Sequence, residues 1–135
     1  MCLLFLRSQN NVLVTAVGGG GDIASAAMIA NVLERYNFKT ILSSIAWERY
    51  VYDPVPGPIR LGEIVNSATR GEHYVLVTSD SYALRGGRVI VPQAVQASRA
   101  LKRPVYIVDM YSGVEGYVEA LKEILSVEGA DLVIG

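Results

Sequence analysis

The stretch Val12-Leu-Val-Thr-Ala-Val17, Gly18-Gly-Gly-Gly-Asp22, Ile23-Ala-Ser-Ala-Ala-Met-Ile-Ala-Asn-Val-Leu-Glu-Arg-Tyr36 reads as a strand, a side-chain-free turn and a helix. Its first part is continuously apolar and rich in β-branched residues, the pattern of a strand buried on both faces. Its last part carries apolar residues at helical spacing. Between them the glycines let the backbone turn sharply and gather several N–H groups at the positive end of the helix dipole, so the junction suits an anion.

Working outward, Thr40 to Ala46, Tyr74 to Thr78 and Val105 to Asp109 repeat the buried-strand pattern, and a further strand begins at Asp131. Helical patterns fall at Leu61 to Thr69, Pro92 to Lys102 and Gly113 to Val127. Ser112 and Glu115 fit a capping box at the start of the last helix, Pro92 suits a first turn, and Pro104 stops a helix before the fourth strand. This alternation predicts an α/β fold of Rossmann-like, three-layer type, with a mostly parallel sheet of about five strands and helices on both faces. The length of 135 residues predicts one domain. Met1 to Leu6 reads as a leading strand or a loose tail. Asp131 to Ile134 has no helix after it, which predicts either a strand at an edge or beside another chain, or the front portion of a longer protein.

One cysteine, Cys2, and one histidine, His73, exclude a disulfide framework and a cysteine- or histidine-rich metal centre, and cysteine usage predicts a cytoplasmic protein. A net charge of -1, from 12 basic and 13 acidic residues, gives no basic excess for nucleic acid. The hydrophobic fraction is 51%, yet no apolar run approaches a membrane-spanning length of roughly 20 residues, so the excess belongs to buried strands and no membrane partner is expected.

In an open parallel sheet, ligands collect beyond the carboxyl ends of the strands. Those positions here are Gly18, Gly19, Gly20, Gly21 and Asp22; Trp47, Glu48 and Arg49; Ser79 and Asp80 with Gly86 and Gly87; and Asp109 to Ser112. Gly19, Gly21 and Ala24 fit the G-x-G-x-x-A dinucleotide spacing, with Glu48 as the approximate ribose-holding acid. A Walker-type loop is excluded, because no Lys-Ser or Lys-Thr pair follows the glycines. Asp22 has three open readings: N-cap of the helix, holder of a divalent cation, or partner of a ligand amine or hydroxyl. The proline-rich segment Trp47 to Pro58 reads as an ordered loop over the strand ends, either a lid or a surface loop, with Arg49 able to pair an anion and Trp47 or a tyrosine able to stack on a ring. Asp80 and Asp109, with Asp22, would hold a magnesium-type cation if the first, third and fourth strands lay side by side. Arg85 to Arg88 reads as a flexible basic turn, and His73 as a surface residue at the wrong end of its strand.

The turn Gly18 to Asp22, the block Trp47-Glu48-Arg49, and Asp53-Pro54 followed by Pro56-Gly57-Pro58-Ile59 together resemble a mainly archaeal family, the domain of unknown function 1152. The similarity runs from Asn11 through the rest of the chain. The resemblance implies a Rossmann-type α/β fold and a site at these blocks, supplies no reaction, and implies longer members that continue past the equivalent of Asp131 into another glycine-acid segment.

The leading expectation is therefore a small anionic metabolite, nucleotide-like or phosphorylated, bound at Gly18 to Gly21, with Asp22, Trp47, Glu48, Arg49, Asp53 and Asp80 lining the pocket. In an enzyme, Asp22 would hold a cation or move a proton, and Arg49 would stabilise charge. Two alternatives stand beside it: a nicotinamide- or flavin-dependent oxidoreductase, and a non-catalytic assembly or regulatory module that forms a homo-oligomer through its apolar excess.

Overall fold

A computed structural model describes residues 10–135; the opening segment Met1 to Leu6 lies outside the described residues. Strand β1 (Asn11–Ala16), helix α1 (Asp22–Arg35) and strand β2 (Lys39–Ser44) form a parallel unit whose register runs from Asn11 opposite Lys39 to Ala16 opposite Ser44. The next segments are short strands: β3 (Ile64–Val65), β4 (Thr69–Arg70), β5 (Tyr74–Val77), β6 (Tyr82–Arg85) and β7 (Arg88–Ile90). Helix α2 (Gln93–Leu101), strand β8 (Val105–Val108), helix α3 (Gly113–Glu128) and strand β9 (Leu132–Ile134) complete the chain.

A six-stranded sheet has the order β4-β5-β8-β2-β1-β9, and a three-stranded sheet the order β3-β6-β7. In the larger sheet β8, β2, β1 and β9 are parallel, while β5 runs antiparallel to β8, with Tyr74 opposite Val108 and Val77 opposite Val105. Side chains alternate between two apolar clusters, as the twofold period of a strand requires. Val12, Val14, Leu42, Val75, Val105 and Ile107 pack with residues of α1 and α2. Leu13, Ile41, Tyr74, Tyr106 and Val108 pack with Ala120 and Ile124 of α3. Helix α1 meets its cluster through Ile23, Ala26 and Ala30, and the two alanines let the helix lie close to the sheet.

The chain between β2 and α2 departs most from expectation. Instead of a helix over Leu61 to Thr69 there is one 3-10 turn, Leu61–Glu63, followed by β3. The Glu63 carboxylate accepts from the Arg60 N–H at 2.7 Å, Ile64 and Val65 are β-branched, and Asn66 takes a left-handed φ of 61°, so the helix cannot propagate. The expected flexible basic turn is a tight hairpin: Gly86 (φ 56°) and Gly87 (φ 74°) supply the paired positive φ angles of a two-residue connection joining β6 to β7.

Arg85 points inward from that hairpin and is buried. Pro54, Pro56 and Pro58 remove N–H groups from a segment that belongs to no ladder, and its enclosed carbonyls still need donors. The Arg85 guanidinium supplies them, reaching the carbonyl oxygens of Pro58 (2.6 Å), Pro56 (3.0 Å), Gly57 (3.0 Å) and Val55 (3.3 Å). It also pairs with Glu63 Oε2 at 3.1 Å and, through Nε, with Asp53 Oδ2 at 3.1 Å. The Nε to Oδ2 approach lies off the hydrogen-bond direction, so charge rather than a directed bond joins those two atoms. Truncating one partner of such a buried cluster strands the others, so Arg85→Ala is expected to lose about 3 to 5 kcal/mol in urea unfolding. A loss below about 1 kcal/mol, the size of an exposed pair, would show that this cation does not hold the loop.

Candidate functional site

The carboxyl ends of β1, β2 and β8 form one rim. At β1 each glycine answers a different demand. A Cβ on Gly18 would sit 1.4 Å from Asp22 Oδ2, because the Asp22 carboxylate folds back over that residue. A Cβ on Gly19 would sit 2.3 Å from the Trp47 carbonyl oxygen, so the segment after β2 passes directly against the turn. Gly20 has a left-handed φ of 71°, and Gly21 is right-handed helical at φ -71°, ψ -13°. Successive residues of opposite hand turn their N–H groups toward one concavity. Among the described residues, the N–H groups of Gly19, Gly20 and Gly21 have no hydrogen-bond partner, and the space where a Cβ on Gly20 or Gly21 would lie is open.

The N-cap of α1 is Gly21, not Asp22, which occupies the first helical position without a side-chain cap. Asp22 favours the helix through the dipole alone. The capping reading of Asp22 is thereby corrected: the turn places its carboxylate over Gly18 instead.

The block after β2 divides. Trp47 and Arg49 stay at the surface of the rim, and Tyr50, Val51 and Tyr52 are also exposed. Glu48 and Asp53 turn inward. Glu48 Oε1 accepts the Gln93 N–H at 2.8 Å and so caps the start of α2. Asp53 accepts the Val55 N–H at 3.0 Å through Oδ1 and faces Arg85 through Oδ2. Neither carboxylate is presented to a ligand at the rim. Arg85 holds the proline segment along its length, and the Tyr111 hydroxyl joins it at the far end, donating to Pro58 O at 2.8 Å while the Arg60 guanidinium lies 3.9 Å from the Tyr111 ring centroid. That anchorage ties Val55 to Pro58 to β6 and to the segment before α3.

Asp80 is displaced from the site by strand direction. Because β5 is antiparallel to β8, Thr78 to Asp80 emerge at the amino ends of the parallel strands, where Arg99 Nε donates to Ser79 O at 2.6 Å. The acidic cluster of Asp22, Asp80 and Asp109 is not assembled: β2 lies between β1 and β8, and β5 points the other way. Among the described residues no three His, Cys, Asp or Glu side chains are grouped to hold a metal ion. Asp109 instead organises the start of α3, accepting from the N–H groups of Tyr111 (3.2 Å) and Ser112 (3.0 Å) and from the Ser112 hydroxyl. The expected capping box fails for that reason, since the Ser112 hydroxyl is occupied elsewhere and makes no cap bond.

The same reversal carries His73 to the rim. Its carbonyl accepts the Asp109 N–H at 2.9 Å, and its Nδ1 lies 3.0 Å from Ser112 Oγ. No feature of its own sequence neighbourhood marks this placement; only the direction of β5 does.

Cavity size does not locate the site. A cleft of about 520 Å³ opens at the amino ends of the strands between Lys39, Arg103, Tyr106 and Glu128, away from the glycine turn. No helix among the described residues is long and apolar enough to cross a membrane.

These features define a mixed α/β protein with a mostly parallel central sheet, a glycine turn at the first strand-to-helix crossing and a proline loop beside it. Residues 13–135 match the model of the family described as protein of unknown function (DUF1152), and the chain belongs to that family. No curated protein matches the chain, and no solved structure matches it.

Burial raises the carboxyl pKa of Glu48 above its ordinary value, partly opposed by the Gln93 bond that favours the ionised form. The folded state then holds this proton more tightly than the unfolded chain, and the stability contributed by Glu48 declines as pH rises from the ordinary carboxyl range through the raised value. Glu48→Gln is expected to flatten that part of the stability curve in thermal unfolding against pH while keeping the bond to Gln93. Glu48→Ala leaves the partly buried Gln93 N–H unpaired and is expected to cost about 1 kcal/mol. An unchanged slope in the glutamine variant would contradict the assignment.

Proposed function

We propose that the chain is a Rossmann-like, three-layer α/β protein that binds a small anionic metabolite, nucleotide-like or phosphorylated, at Gly18 to Gly21. One observation carries the reading: the N–H groups of Gly19 to Gly21 lack partners among the described residues, and the space where a Cβ on Gly20 or Gly21 would lie, at the first turn of α1, is open. Trp47 and Arg49 flank the turn, the first as a surface for a planar ring and the second as a charge partner. Asp22 is the opposing element, because its carboxylate lies over Gly18 and repels an anion that is not bridged by a cation.

The nicotinamide or flavin reading is weaker. It needs an acid free to hold a ribose, and Glu48 is committed to Gln93. The homo-oligomer reading is favoured by one feature, the outward face of α1, where Met28, Ile29, Val32 and Tyr36 are exposed at helical spacing. If that face joins two copies, Val32→Glu is expected to convert a dimer to a monomer in gel filtration.

Calorimetric titration with inorganic phosphate and with adenosine monophosphate tests the principal reading. At Gly21 the backbone is right-handed and the space is open, so Gly21→Ala is expected to keep the fold and weaken binding by about tenfold, equivalent to 1.4 kcal/mol. Without divalent cations, Asp22→Asn is expected to strengthen binding, by removing the nearby negative charge. Absence of heat with both probes, or a Gly21→Ala variant that binds as the parent does, would remove the basis for the reading.

A further inference from the structure

We propose that two adjoining clefts at the amino ends of the parallel strands form one binding site for a phosphate monoester with an alkyl or aromatic body, the body in an apolar notch of the sheet and the phosphate among Arg99, Lys102 and Arg103. The site is independent of the glycine turn, which lies at the opposite ends of these strands.

The apolar part follows from the register of the sheet. β2 meets β8 only at Ser43 opposite Tyr106 and Ser44 opposite Ile107, so Lys39 to Ile41 run on past the start of β8 at Val105. A notch remains between them and Leu76 of β5, and it opens as the cleft of about 520 Å³. Phe38, Ile41, Leu42, Leu76 and Pro104 supply its apolar lining, with the Tyr106 ring beside them. That volume lies within the range of small-molecule sites, roughly 300 to 1,000 Å³. The two carboxylates of the lining are already answered within the chain. Glu128 accepts the Tyr106 hydroxyl at 2.6 Å, and Glu34 accepts the Thr40 hydroxyl and pairs with Arg103.

Arg103 and Pro104 also line the second cleft, of about 470 Å³, whose remaining walls include Arg99, Lys102 and the hydroxyl residues Thr78 and Ser79 but no carboxylate. Arg103 is therefore the junction of an apolar hollow and a cationic one. Its side-chain contacts all run through Nη1, to Glu34, to the Thr40 hydroxyl at 3.1 Å and to Thr40 O at 3.4 Å. The Thr40 hydroxyl gives its own proton to Glu34 and so accepts from Nη1. One nitrogen of the guanidinium is thus fixed, while the N–H groups of Nε and Nη2 have no partner among the described residues. Helix α2 ends at this cleft, and its dipole presents about half a negative charge there. Arg99, Lys102 and Arg103 outweigh that and the Glu34 carboxylate together, leaving an excess of about one and a half positive charges. A phosphate monoester, at about -1.5 to -2 near neutral pH, matches this excess better than a single carboxylate does.

Nuclear magnetic resonance of the labelled full chain tests this with phenyl phosphate, inorganic phosphate, benzoate and benzyl alcohol as separate probes. Phenyl phosphate is expected to shift the Arg103 Nε–H and Tyr106 ring signals and to bind at least about tenfold more tightly than any of the other three, because it alone fills both clefts. The combined Arg99→Gln and Lys102→Asn variant is expected to weaken it by about tenfold. Lys102 has a left-handed φ of 54°, which asparagine tolerates, and unchanged amide signals in β1 and β2 report that the variant is folded. Gly21→Ala is expected to leave the Arg103 and Tyr106 response as it is in the parent, which separates this site from the glycine turn. Shifts confined to the amides of Gly19 to Gly21, phenyl phosphate bound no more tightly than the other probes, or a double variant that binds as the parent does would each overturn the proposal. So would a nuclear Overhauser contact between Phe5 and Tyr106 in the chain without ligand, since the apolar cleft would then be filled by the protein's own opening residues.

Discussion

The antiparallel pairing of β5 with β8 decides which residues of this chain can act together. Had β5 run parallel to its neighbour, Ser79 and Asp80 would stand beside Asp109 on the carboxyl rim. The observed register, Tyr74 opposite Val108 through Val77 opposite Val105, exchanges the two ends of that strand. His73 arrives at the rim and Asp80 leaves it. Opposite sheet ends are separated by the length of the strands, so no side-chain motion within the native fold restores the missing arrangement.

A parallel strand needs a long crossover, and the chain between β2 and β5 contains no α-helix to serve as one. It holds instead the proline segment and β3, gathered around Arg85. The buried guanidinium solves a local shortage, because a segment rich in proline has carbonyl groups to satisfy and few donors of its own. Fixing Val55 to Pro58 fixes the segment that precedes them, and the Trp47 backbone then closes against Gly19. The glycine turn and the proline loop are thus one assembly: the first is free of side chains partly because the second lies against it.

Much of this was legible in the sequence where periodicity is strong. The β1 to β2 unit, α2, β8 and α3 carry clear strand or helix patterns, and their observed limits stay close to the expected ones. Strand β5 was legible in its limits but not in its direction, and the rest of the region from Leu61 to Ile90 was not legible in the same way. Strands as short as β3 and β4 have no measurable period, and their pairing depends on residues distant in the chain. One signal was available: Gly86-Gly87 between Tyr82-Ala-Leu-Arg85 and Arg88-Val-Ile90 is the pattern of a two-residue hairpin. Had it been read so, Arg85 and Arg88 would have been assigned to opposite strands. Burial of Arg85, Glu48 and Asp53 could not be read locally, since charged residues are usually exposed and their partners here lie far along the chain. For Asp22, a favoured capping residue type pointed to a cap, but the glycine before it took that position.

The direction of β5 is therefore the claim to measure. In an antiparallel ladder the Hα protons of non-hydrogen-bonded pairs come close across the strands, and with Asp109 N–H bonded to His73 O those pairs are Tyr74 with Val108 and Leu76 with Tyr106. Nuclear Overhauser spectroscopy of the labelled chain should show both Hα to Hα contacts. Their absence, with cross-strand contacts that place Thr78 rather than His73 beside Asp109, would contradict the account and return Asp80 to the rim.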